Sequence, residues 1–356
     1  MEDAIMHNLS TDILALSGEA ALLTRHNLVY FANSAACRIL GDCLGKPVKE
    51  LFGSGISEAQ APAFITDMNI GARQYAVRVS RFEEGQLIFL RECSASPLLL
   101  NDALIFSMRN SLMNYGLSAD MLRARAEDLC DQQLLSALRS ITHSYYRMMR
   151  VLTNASTVLA ITQGSVTFAP QELDIAALAS ALVETAAMLC PQIEFHIACD
   201  QIHPVPADRQ LVELIILNLI SNCIVHAKGC SRISLNLMES RDNIILSVDD
   251  DGCGIPPDQL GIVFDRYCHG FDIGGILSGA GLGLTVVRSA ARLHGGTLLL
   301  ESREGKGTTV RVSLNRHLSS SGLCSPRQPM DGGIKTVLTG LADCLPDSCY
   351  TENYMD

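Results

Sequence analysis

The chain has 356 residues, a formal net charge of −11 and hydrophobic side chains at nearly half of its positions. That length accommodates about two or three domains, and that hydrophobic share excludes a globally disordered chain. The acidic balance lacks the summed positive field that draws in nucleic acid, which argues against a general nucleic-acid binder. No run of about 18 apolar residues occurs, so no membrane span is expected. The greasiest window, residues 211–220, contains Glu213 and Asn218, and the N-terminus is acidic and polar, unlike a signal peptide. The 13 cysteines form no Cys-x-x-Cys pair and mostly sit in apolar runs, so they read as reduced core residues of a cytoplasmic protein.

Residues 10–95 read as a small α+β unit. Leu22, Leu23, Leu28, Val29 and Tyr30 suggest a hairpin turning at His26-Asn27. A short helix over residues 34–40 is stopped by Gly41. Residues 75–82 and 86–91 read as two strands turning at Glu84-Gly85.

In residues 98–163 Pro and Gly almost vanish. Leu134, Leu138, Ile141, Tyr145, Met148, Leu152, Ala155 and Leu159 alternate steps of four and three, which is a heptad seam. Ile105, Met108, Leu112, Tyr115, Ala119 and Leu122 keep the same rhythm, and residues 125–131 separate the two segments. One antiparallel hairpin with so narrow a seam buries little, whereas two make a four-helix bundle, so the segment predicts a homodimer. The alternative is an intramolecular bundle.

Residues 165–315 return to mixed α/β character. A helix over residues 207–227 places Asn218, Asn222 and His226 on one face and Ile216, Ile220 and Ile224 on the other. Amide oxygens are hard ligands suited to a Mg²⁺ that keeps several waters and meets a nucleotide's phosphates. A strand over residues 244–248 then runs into Asp249-Asp250-Asp251-Gly252-Cys253-Gly254-Ile255-Pro256. Glycines there permit positive φ and the close approach of a flat ligand, and a carboxylate accepts a hydrogen bond from an exocyclic amine such as that of adenine. Each pattern alone has a bland reading, a solvated helix face or an acidic surface turn. Gly279-Ala280-Gly281-Leu282-Gly283-Leu284 opens an amphipathic helix, where small residues let backbone N–H groups meet phosphate oxygens. Gly295-Gly296 caps that helix, and two strands follow, residues 297–302 and 308–314. Residues 317–356 contain Ser, Pro and Gly, end acidic and read as a mostly disordered tail with one helical turn near residues 338–345.

The three elements, in this order, resemble the N, G1 and G2 boxes of the ATP-binding domain shared by sensor histidine kinases, DNA gyrase and MutL. Val263-Phe264-Asp265-Arg266-Tyr267 is similar to the F box of histidine kinases. The resemblance covers about residues 172–314 and implies a two-layer α/β sandwich of the GHKL (Bergerat) type holding ATP and Mg. By that mapping Asn222 binds Mg and Asn218 assists. Asp250 holds the adenine amine, with Gly252, Gly254 and Ile255 around the base. Gly279, Gly281, Leu282 and Gly283 serve the lid and phosphates, with His226 and Arg266 nearby, and Thr308 supports the adenine end. Hydrolysing members carry Glu where this chain has Asn218. A carboxylate deprotonates water and an amide does not, so Asn218 argues for phosphotransfer or binding rather than hydrolysis. The usual cation three residues after Asn222 is Val225, and the usual Arg after the F-box aromatic is His269.

The heptad segment resembles the dimerisation and phosphotransfer hairpin of the same family, with Arg109-Asn110-Ser111-Leu112 fitting its motif. The phosphoacceptor position is Phe106 and the neighbouring acid is Ser107. Phenylalanine has no nucleophile. The hairpin's His143 is the remaining acceptor candidate, and its bland reading is a half-buried helix histidine. Leu28 to Ala36 and Gly41 to Phe52 resemble a PAS sensor module. The expected organisation is therefore α+β and multidomain. A PAS-like sensor occupies residues 1–97, a hairpin forming a dimeric four-helix bundle 98–163, a histidine-kinase-type ATP-binding domain 164–316 and the tail 317–356. The resemblance implies a cytoplasmic sensor histidine kinase of a two-component system. A response-regulator receiver domain is then a partner, with a partner histidine kinase as a further one. Two alternatives stay open. One is a nucleotide-binding pseudokinase. The other is a receiver phosphatase, in which Asn110 orients the attacking water.

Overall fold

The structure is a computed structural model. It describes residues 14, 19–53, 56, 61–71, 73–82, 85–92, 102–166, 168–199, 202–256, 259–261, 263, 282–318 and 334–350, with the side chains of 102–104 and 106 excepted.

Strands β1 (Ala20–Arg25) and β2 (Leu28–Ala32) form a hairpin. His26 and Asn27 both take positive φ, the conformation that a two-residue turn matching the strand twist demands. Asn33 caps helix α1 (Ser34–Leu40) by accepting from the Ala36 amide at 2.9 Å, and its side chain also donates to the Glu19 carbonyl at 2.7 Å. After α2 (Val48–Phe52), strands β3 (Ala63–Ile70), β4 (Arg73–Phe82) and β5 (Gly85–Glu92) complete an antiparallel sheet. Leu22, Val48, Phe64, Val77 and Ile88 are fully buried in its own core.

Helices α3 (Asp102–Asp128) and α4 (Gln132–Thr162) form the hairpin. Cys130 turns the chain with φ 50°, and Asp131 caps α4 by accepting from the Gln133 and Leu134 amides. The heptad seam divides. Ile105, Leu112, Ala119, Leu138, Leu152, Ala155 and Leu159 are buried, whereas Tyr115, Leu122, Ile141 and Met148 are all at least half exposed.

The third unit contains β6 (Gln171–Leu173), α5 (Ile175–Leu189), β7 (Glu194–Cys199), β8 (Val205–Ala207) and α6 (Arg209–His226). It continues with β9 (Arg232–Glu239), β10 (Asn243–Asp250), α7 (Leu282–Leu293), β11 (Leu298–Arg303) and β12 (Gly307–Asn315). Its strands run in the order β11-β12-β10-β9-β7, with β7 parallel to β9 and the other pairs antiparallel. Residues two apart, such as Ile244, Leu246 and Val248, point inward against α5, α6 and α7, and Ser247 and Asp249 point away. Strand β3 pairs with the edge strand β11 through Leu299↔Thr66 to Ser302↔Ala63, so one ten-stranded sheet runs through both units.

Two expectations are corrected. Helix α6 does not divide into a core face and an open amide face. Asn218 is 3% exposed, because α4, α7 and the C-terminal segment cover that side. Nor is the described part of the tail disordered. Residues 334–350 form α8 (Ile334–Gly340), a turn and a 3₁₀ turn (Asp347–Cys349). Val337, Leu338, Leu341, Ala342 and Tyr350 are completely buried against the main core. The apolar positions of this segment were too few and too closely spaced to mark a periodic element, yet together they fill one groove beside α4 and α6.

Candidate functional site: the amide face of α6

Asp208 starts α6 by accepting from the Gln210 and Leu211 amides at 3.1 and 3.3 Å. Its own backbone N–H donates to Nε2 of His294 at 3.0 Å, and Nδ1 of His294 lies 2.8 Å from the Ala290 carbonyl. Burial lowers the pKa of His294, which favours the neutral ring that this pairing of one acceptor and one donor nitrogen requires. The buried imidazole thus ties the end of α7 to the start of α6. Sequence reading gave it no role, although it directly precedes Gly295-Gly296.

The first turn of α7 lies on the amide face of α6. A Cβ at Gly283 would lie 3.2 Å from Oδ1 of both Asn218 and Asn222, a tight contact, so the glycine keeps the space beside these oxygens open. The cradle and its hard, neutral donors fit a Mg²⁺ that keeps waters and meets phosphate oxygens. Asn218 is already engaged. Its Oδ1 accepts from Asn154 Nδ2 at 3.1 Å and from Arg150 Nη2 at 3.4 Å, and its Nδ2 donates to Asn154 Oδ1 at 3.3 Å. Arg150 and Asn154, four apart on α4, are site residues that sequence reading missed. Their i, i+4 spacing on a helix otherwise read for its seam was the available signal.

At the far end of α6, Asp250 closes β10. One oxygen accepts from the Gly252 amide at 3.0 Å and the Thr308 amide at 3.3 Å. A Cβ at Gly252 would strike that of Ala227 at 2.5 Å. Gly254, at φ +65°, has the Arg303 carbonyl where a Cβ would stand. The Ser302 hydroxyl accepts from the Ile255 amide at 2.8 Å and lies 2.9 Å from the Thr308 hydroxyl. Asp250, Gly252, Gly254, Ile255 and Thr308 are therefore one local assembly, and Asn218, Asn222, Leu282 and Gly283 another on the same helix. His226 is exposed at the end of α6. Arg266, Gly279 and Gly281 lie outside the described residues, as does the side chain of Phe106. Asn110 is exposed on α3. His143 stands apart beneath the C-terminal segment. Its Nδ1 is 2.5 Å from Asp347, its Nε2 is 2.7 Å from the Ala342 carbonyl, and its ring stacks on Tyr350 at 4.8 Å.

Residues 207–318 match the family described as histidine kinase-, DNA gyrase B- and HSP90-like ATPase, so the stretch from α6 through β12 is a domain of that type. Two curated bacterial histidine kinases are similar to this chain. The chain is 28% identical over 190 residues to the sensor-type histidine kinase PrrB of Mycobacterium leprae, covering 53% of this chain and 41% of that one. It is 34% identical over 125 residues to the histidine protein kinase DivJ of Caulobacter vibrioides, covering 35% and 21%. Among solved structures, full-length ShkA in complex with AMPPNP superposes with a TM-score of 0.50 at 18% identity, covering 62% of this chain and 46% of that one. The chain thus spans about two fifths or less of the curated relatives named here.

Neighbouring acids at this site are driven in opposite directions. Asp251 is held well below the ordinary carboxylate range by the Ser231 hydroxyl at 2.6 Å and the Arg232 and Ser231 amides. Its stabilisation is in force above the unfolded value of about 3.9 and fades as pH falls toward the lower folded value. Burial pushes Asp250 up, so its ionised form costs the fold at neutral pH and acidification relieves that cost. At pH 7, Asp251→Asn should therefore lower the melting temperature, while Asp250→Asn should leave it unchanged or raise it. Scanning calorimetry of the two variants checks the pair, and equal destabilisation would contradict it.

Proposed function

We propose that the chain is the signalling part of a two-component sensor histidine kinase and binds Mg-ATP on the amide face of α6. The observation that carries this reading is the convergence of Asn218, Asn222 and Gly283 on the second half of the helix with Asp250 and its glycine turn just past the helix's C-terminal end. Asn222 would hold Mg²⁺, with Asn218 assisting. Bound Mg²⁺ neutralises phosphate charge, and the rest of the site is the chain's own work. The Asp250 carboxylate accepts from the adenine amine, Gly252, Gly254 and Ile255 admit the flat base, and Thr308 braces the carboxylate through its amide. Leu282 and Gly283 bring the first turn of α7 to the phosphates, and by the sequence resemblance Gly279, Gly281 and Arg266 would serve the same phosphates, with His226 as a further candidate. The crystal complex of ShkA with AMPPNP, a protein of similar fold, supports a nucleotide as the ligand.

The remaining units fit the same reading. The five antiparallel strands and two short helices of residues 19–92 serve as a PAS-like sensor, residues 98–163 as the dimerisation hairpin and residues 164–316 as the ATP-binding domain. A receiver domain is the downstream partner, a second histidine kinase is a further partner, and the cytoplasm is the compartment. Buried and exposed seam positions alternate along α3, and on α4 Ile141 and Met148 face outward, which leaves apolar side chains for a second copy to cover. Tyr115→Glu combined with Leu122→Glu, both exposed, should therefore give a folded monomer by light scattering. An unchanged dimer would place the interface outside the hairpin.

A second reading is favoured by one residue. Phe106 occupies the standard phosphoacceptor position and offers no attacking atom. His143 has both ring nitrogens against acceptors. The protein is then a nucleotide-binding pseudokinase or, through Asn110, a receiver phosphatase. Labelled ATP separates the readings. Wild type should bind millimolar Mg-ATP, and Asp250→Asn should weaken binding by about tenfold to a hundredfold, the loss of a charged hydrogen bond. Phe106→His with Ser107→Glu should gain acid-labile phosphoprotein that wild type lacks. Phosphorylation of wild type would restore the kinase reading with His143 as acceptor. No nucleotide binding by wild type would overturn the reading altogether.

A further inference from the structure

From its first residue onward, α6 carries no Lys or Arg after Arg209, so the helix that presents the two asparagines brings no guanidinium or ammonium of its own to phosphate. The guanidinium bonded to Asn218 comes from the hairpin instead. Arg150 is 7% exposed, and its two terminal nitrogens take different partners, Nη2 donating to Asn218 at 3.4 Å and Nη1 to Asp343 at 2.6 Å. Asp343 lies in the C-terminal segment, directly after the fully buried Leu341 and Ala342. That segment is anchored on both sides of the junction. On the hairpin, Asp347 meets Ser140 and His143, Tyr350 stacks on His143, and Asp343 also takes Arg147 at 3.3 Å. On the ATPase domain, Gly340 sits so close to Leu217 that a Cβ would come within 2.6 Å of that side chain, and the Cys349 thiol faces the Leu189 carbonyl at 3.8 Å.

We propose that Arg150 is a phosphate-binding cation of the nucleotide site, contributed by the hairpin, and that Asp343 of the C-terminal segment holds it in reserve. A carboxylate on Nη1 occupies the charge that a nucleotide's terminal phosphate would take. The same arrangement keeps the Asn218 oxygen engaged with Asn154 and Arg150. The segment is therefore a competitive strap. It ties the ATPase domain to α4 with the site closed, and nucleotide or an upstream signal must displace it. Apparent affinity falls by the fraction of molecules in which the strap is open. The proposal rests on the nucleotide reading above.

The test is calorimetry of the full chain with AMPPNP and Mg²⁺ in five forms: wild type, Asp343→Asn, Tyr350→Ala, Arg150→Gln, and Asp343→Asn with Arg150→Gln. Asp343→Asn should bind about tenfold more tightly than wild type, as expected for a strap open in about one molecule in ten. Tyr350→Ala removes an anchor remote from the site and should reproduce the gain, and thermal melts of each form establish that it is folded. In the Arg150→Gln background the Asp343→Asn gain should vanish. If wild type binds and neither Asp343→Asn nor Tyr350→Ala improves on it, the strap is wrong while the nucleotide site stands. If the gain survives Arg150→Gln, the role of Arg150 is wrong. If no form binds, the nucleotide reading fails and the proposal falls with it.

Discussion

The amide of Asn218 is where the hairpin and the ATPase domain meet, with the C-terminal segment one residue removed through Arg150. A buried carboxamide must satisfy both its oxygen and its nitrogen. Here it does so with Asn154, Arg150 and the Leu214 carbonyl of its own helix. None of these partners is a ligand, so the closed arrangement is complete without one. Any group that takes the oxygen of Asn218 must offer at least as much as a reciprocal amide pair and a guanidinium. That exchange sets the terms on which the site opens.

The rest of the fold holds the exchange in place. The buried His294 fixes α7 against the start of α6, and the alternating inner face of the sheet fixes both helices from below. The pairing of β3 with β11 adds a second route into the domain, because it joins the N-terminal sheet to the strand whose Ser302 supports the Asp250 turn. A shift in the N-terminal unit has a direct backbone path to the turn at the C-terminal end of α6, and a shift in the hairpin has a side-chain path to the middle of that helix. Both paths end on the same helix.

Much of this was legible in the sequence where chemistry is local. The turn at His26-Asn27, the stop at Gly41 and the strand into Asp250 all follow from rules acting over a few residues, and the structure places them as read. The covered face of α6 was not legible. Periodicity separates Asn218 from Ile216 and Ile220, but it carries no information about which distant helix lies over the amide side. Arg150 and Asn154 were hidden for the same reason, since polar residues beside a heptad seam ordinarily face water. The C-terminal segment was misread because its composition is that of a flexible tail. Its order comes from a groove supplied by α4 and α6, with His143 and Arg150 waiting for Asp347 and Asp343. No window of the tail alone contains that groove.

The central claim is that Arg150 and Asn218 change partners when nucleotide arrives. A crystal structure of the full chain with AMPPNP and Mg²⁺ measures this most directly. The account predicts that Arg150 Nη1 leaves Asp343 for a phosphate oxygen and that Asn218 parts from Asn154. Nucleotide seated on Asn222 and Asp250 with the 2.6 Å Arg150–Asp343 contact intact would contradict it.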